Sequence, residues 1–66
     1  MSATYKMEEF VGTSAESFAD ATRNAVEKAS ASPGEAQWFE VVEMRGAIQG
    51  GSVAEFQVKL KVGCKQ

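Results

Sequence analysis

The sharpest period in the chain lies near its C-terminal end, where Phe56, Val58, Leu60 and Val62 alternate with Glu55, Gln57, Lys59 and Lys61. Successive side chains of a strand point to opposite faces, so this run predicts a strand with one apolar and one polar side. Ahead of it, Gln37 to Ile48 reads as a long strand, and Gly50-Gly51 supplies the positive-φ pair that a tight hairpin needs. Near the start, Thr4 to Val11 alternates only loosely, but it is short, contains aromatics and is stopped by Gly12, which predicts another strand. Between the first two strands, Phe18, Ala21, Thr22, Ala25 and Ala29 recur at helical spacing and form a narrow face of small residues headed by one aromatic. The spacing predicts a helix from about Ser14 to about Ser30. Thr13 followed three residues later by Glu16 has the capping-box pattern, and Ser30-Ala31-Ser32-Pro33-Gly34 supplies the stop.

Strand, helix, strand, hairpin, strand is a β-α-β-β order. It predicts an α+β domain over residues 1–66: a three-stranded antiparallel sheet of order 1-3-2 with the helix packed across one face. With the hairpin centred on Gly50-Gly51, opposite residues have numbers summing to about 101. This pairing sets Trp38 near Gly63 and Gln57 near Met44. The face away from the helix then carries Trp38, Glu40, Met44, Glu55, Gln57 and Lys59, and Arg45 points toward the helix.

Length makes self-association an expectation. A chain of 66 residues buries only about 60% of its unfolded surface, so its core is thin. Cys64 is the single cysteine and there is no histidine, which excludes an intramolecular disulfide and a zinc site of the usual ligands. The net charge of -2 is spread without blocks, so no nucleic-acid footprint is expected. The N-terminus has no apolar signal core, and no stretch approaches a membrane span; a cytoplasmic protein without nucleic-acid or membrane partners is the expectation.

Candidate chemistry concentrates on the open sheet face. An indole at Trp38 and a carboxamide at Gln57 suit a planar heteroaromatic ligand, through stacking and through paired donor and acceptor bonds. The same two residues would also serve an oligomer interface, where aromatics are enriched. No histidine base or activated nucleophile is available for catalysis, so the chain is read as a non-enzyme. Cys64 is expected to be a solvent-accessible or interface thiol. Glu8, Glu9, Glu40, Glu43 and Glu55 are read as a solvated or salt-bridged face in preference to a magnesium or calcium site assembled across subunits, and no metal ligand is assigned.

Five segments carry a resemblance. Val11-Gly12-Thr13-Ser14, Trp38-Phe39-Glu40-Val41, Arg45-Gly46, and Phe56-Gln57-Val58 with Lys61-Val62-Gly63 resemble the dodecins in order and spacing over nearly the whole chain. The resemblance implies a homododecameric shell that holds flavins (FMN, riboflavin or FAD) as stacked pairs between tryptophans at subunit interfaces. It implies a storage or buffering protein that quenches flavin photochemistry, against the alternative of a structural assembly protein without a physiological flavin. Trp38 would be the stacking residue and Gln57 the hydrogen-bonding partner of the isoalloxazine edge. Arg45 would meet the ribityl or phosphate end or an interface partner, and Lys65 would keep a positive charge where relatives often have Arg. The stretch Ser32-Pro33-Gly34-Glu35-Ala36-Gln37 lacks the basic residue that some relatives offer to coenzyme A as a second ligand.

Overall fold

The computed structural model describes residues 2–30 and 35–66; the predicted helix stop at 31–34 lies outside them. Four elements follow in the expected order: β1 (Tyr5–Ser14), α1 (Phe18–Ser30), β2 (Glu35–Gln49) and β3 (Ser52–Lys65). The sheet is antiparallel with order β1-β3-β2, so the last strand is central, as expected from the sequence. Gly50 and Gly51 join β2 to β3 at φ of 62° and 79°, the left-handed region that a two-residue hairpin turn requires.

α1 lies on the face of β3 that carries Val58, Leu60 and Val62, the three largest fully buried side chains. Ala21, Ala25 and Ala29 face them, with Phe18 and Val26 packed at the margin. Small residues on the helix let the backbones approach closely, and β1 answers with Gly12. A Cβ added there would run into the carbonyl oxygen of Ala21 and stand 2.8 Å from the Cβ of Ala25. Phe18 also meets Phe56 edge to face at 4.9 Å between centroids.

The helix begins later than the capping-box reading placed it. β1 continues through Thr13 and Ser14, and the first turn is capped by Ser17, whose Oγ accepts from the backbone N–H of Asp20 at 3.0 Å. Ser14 ties the preceding turn together: its hydroxyl donates to Asp20 Oδ2 at 2.7 Å and accepts from Glu16 N–H at 2.9 Å. Thr13 therefore acts through its carbonyl, which receives a bond from Asn24 Nδ2 at 2.9 Å.

Cys64 also departs from expectation. It continues the helix-facing row Val58, Leu60, Val62, so its thiol is buried, at 3% exposure, and belongs to the core.

The molecule is far from a sphere. Its extents are 53 × 19 × 13 Å and its radius of gyration is 13.6 Å, against about 11 Å for a compact chain of this length. The β2–β3 hairpin runs past the helix, leaving every described residue of β2 from Gln37 onward exposed. Phe39, Val41 and Met44 pair with the buried residues Val62, Leu60 and Val58, and so lie on the helix side of the sheet, yet roughly half of each stays in contact with solvent.

Candidate functional site

The open face is assembled by alternation along β3. Opposite residues of neighbouring strands share a face, so Gln57, Lys59, Lys61, Gly63 and Lys65 stand away from the helix together with their partners on β1 and β2. From β1 this brings Tyr5, Met7, Glu9, Val11 and Thr13; from β2 it brings Trp38, Glu40, Glu43 and Arg45.

Trp38 pairs with Gly63, as the hairpin arithmetic predicts. The missing side chain at 63 leaves a shallow trough in the central strand, and the indole fills it: a Cβ on Gly63 would overlap Cε2 and Cζ2 of the ring. The six-membered ring of the indole thus lies directly against the backbone at Gly63. Tyr5 approaches from β1 with its ring centroid 6.0 Å away and tilted by 49°. With 45% of Trp38 accessible, an aromatic surface remains open at this end of the sheet.

Arg45 and Met44 exchange the faces that the arithmetic gave them. Ala54 is an unpaired bulge residue between the pairs Ile48↔Val53 and Ala47↔Glu55, and Val42 is another between Val41↔Leu60 and Glu43↔Lys59. The first bulge shifts the register by one residue and the second shifts it back. Within the interval the pairs are Arg45↔Gln57 and Met44↔Val58, so Arg45 stands on the open face with Trp38 and Met44 turns to the helix side. The guanidinium Nε donates to Gln57 Oε1 at 2.7 Å, Gln57 Nε2 donates to Glu55 Oε1 at 2.8 Å, and Arg45 makes an exposed ion pair with Glu43 at 3.4 Å.

Trp38 and Gln57 share the face but are not side by side. The partner of Trp38 is Gly63, six residues along β3 from Gln57, which is roughly 20 Å at about 3.3 Å per residue. Lys65 lies at the tryptophan end, paired with Tyr5, and Arg45 lies at the glutamine end. The four candidate residues thus form two pairs, Trp38 with Lys65 and Gln57 with Arg45, at opposite ends of one sheet face. Tyr5 and Glu55 join these pairs without having been singled out as ligand-site residues, because only the cross-strand register shows what they touch. Among the described residues, no group of three or more His, Cys, Asp or Glu side chains gathers as a metal site, and no helix is long and apolar enough to cross a membrane.

Comparison with known proteins places these features in a family. The dodecin family pattern matches residues 4–66. A dodecin of Thermus thermophilus is 43% identical over 63 residues, spanning 96% of this chain and 91% of the relative. The solved dodecin of Streptomyces davaonensis superposes with a TM-score of 0.94 at 41% identity, covering 100% of this chain and 97% of the other. Streptomyces coelicolor dodecin gives 0.91 at 45% identity, with 97% and 91% covered.

Proposed function

This chain belongs to the dodecin family, and from that premise we propose that it is a non-catalytic, self-assembling protein that binds flavin and holds it in a protected store. The observation that carries this reading is the Trp38 indole, seated against Gly63 and 45% accessible to solvent. A flat ring supported on one side offers a stacking platform to one planar ligand, and a second copy related by symmetry would close the other side.

The separation of the two ends of the sheet makes the site composite. An isoalloxazine is shorter than the backbone interval between Trp38 and Gln57, which supports a carboxamide supplied to each stacked ring by a neighbouring copy. Self-association is supported independently by the elongated shape and by the half-exposed Phe39 and Val41, which line an open apolar groove of about 510 Å³ with Ala19, Thr22, Arg23, Val26 and Glu27. In such an assembly Gln57 would donate to a ring carbonyl and accept from a ring N–H, and Lys65 would meet a phosphate in FMN or FAD, the Arg45 guanidinium being engaged by Gln57 and Glu43. The sequence from 32 to 37 holds no basic residue, so a coenzyme A site is not part of this proposal.

Storage follows from the chemistry of the stack. An indole in van der Waals contact with a photoexcited flavin gives it an electron and takes it back, returning the pair to its ground state. Trp38 would do this, and its stacking would also hinder approach to the ring by external donors. The test is fluorescence titration of flavin-free protein with FMN and with riboflavin, alongside Trp38→Ala. Binding with quenching in the parent and a loss of about tenfold or more in the variant is expected, from stacking worth ~1–3 kcal/mol. Equal affinity and equal quenching in both would end the reading.

A further inference from the structure

The Gln57 carboxamide is gripped from both ends. Its oxygen accepts from the Arg45 guanidinium at 2.7 Å and its nitrogen donates to the Glu55 carboxylate at 2.8 Å. A free glutamine amide turns over about its last bond with almost no change of shape, exchanging a donor end for an acceptor end. Here the turned-over state would press NH2 against a cation and a carbonyl against an anion, replacing two charge-assisted bonds with two repulsive contacts. Charge therefore fixes the orientation. Glu55 is two residues before Gln57 on the same face of β3, and Arg45 is directly across on β2. Glu43, 3.4 Å from Arg45, restrains the guanidinium from the other side.

We propose that Glu55 and Arg45 are positioning residues that lock the polarity of Gln57, so that the site selects ligands whose ring edge offers an acceptor and then a donor in one fixed order. The carboxamide has one N–H and one oxygen lone pair beyond those used in the grip, and the lock sets their sequence. An imide edge, with a carbonyl on each side of its N–H, would be bound through one particular carbonyl, which fixes how the ring lies in the stack. This inference rests on Gln57 being the ligand-edge contact of the proposed flavin site.

The test compares the assembled parent protein with Glu55→Gln, with the exchanged-charge variant Arg45→Glu/Glu55→Arg, and with Gln57→Ala. Light scattering checks assembly, FMN titration reads affinity, and amide NMR reads the Gln57 side chain before ligand is added. In the parent, one Gln57 N–H resonance is expected downfield and slow to exchange, as bonded to a carboxylate; Glu55→Gln should shift it back and speed its exchange. FMN affinity should fall about tenfold in Glu55→Gln, in line with losing one charged hydrogen bond. The exchanged pair should fall to the level of Gln57→Ala because the amide is now held the other way round. In both, quenching at saturation should stay complete, since Trp38 is untouched. An exchanged-charge variant that binds FMN as tightly as the parent overturns the proposal; should that variant not assemble, parental affinity in Glu55→Gln does so. A parent that binds no flavin overturns the ligand reading instead, and the lock is then decided by NMR alone: Gln57 resonances indifferent to Glu55→Gln refute it.

Discussion

Trp38 rests on Gly63, and the position of its ring depends on the missing side chain there. The indole occupies the space where any other residue at 63 would place its Cβ. Gly63→Ala should therefore lift the ring off the sheet. We expect a loss of roughly 1–3 kcal/mol, the usual cost of overpacking, together with weaker FMN binding and an altered near-ultraviolet circular dichroism of the single tryptophan. Unchanged spectra and affinity would show that the ring does not use this contact in solution.

The distance between the tryptophan and glutamine ends gives a complementation experiment. Trp38→Ala and Gln57→Ala should each bind FMN poorly as pure assemblies. Unfolding the two together and reassembling them should restore a fraction of tight sites, because some interfaces would join an intact Trp38 from one chain to an intact Gln57 from another. A mixture no better than its components would mean that both groups act from the same chain.

Ser17, not Thr13, caps the helix. Ser17→Ala should cost about 1 kcal/mol, read by urea unfolding at fixed protein concentration. Thr13→Ala should cost less, because only the backbone carbonyl of Thr13 takes part in the junction. The reverse ranking would restore the capping-box reading of Thr13 and Glu16.

Cys64 should be silent toward thiol reagents in the native protein and reactive after denaturation, since burial withholds it from solvent. Rapid labelling of the folded assembly would contradict its place in the core row.

Much of this architecture is written in the sequence. The alternation from Phe56 to Val62 placed β3 and its buried side; Gly50-Gly51 placed the hairpin; Ala21, Ala25 and Ala29 placed the helix face. These are short-range periodicities, and each depends only on neighbours a few residues away. The helix start was less legible because Thr13, Ser14 and Ser17 all have capping hydroxyls, and the choice among them is made by how far β1 stays paired with β3. Cys64 was misjudged because the alternation was followed only to Val62, although its own position continues the same row. The site was legible in its residues but not in its layout. Sequence separation across a hairpin says which residues share a row; it does not reveal a bulge. Nor does a shared face imply proximity on a strand of 14 residues.

Ala54 has no functional group, yet it decides the address of one. Were Ala54 instead paired into the ladder, β3 would meet β2 one step earlier through the interval up to Val42: Met44 would oppose Gln57, and Arg45 would turn beneath the sheet toward the helix side. The guanidinium reaches the amide because a single methyl-bearing residue is left out of the ladder. Drawing Ala54 into the ladder would thus rewire the polar end of the face without altering any of the residues that compose it.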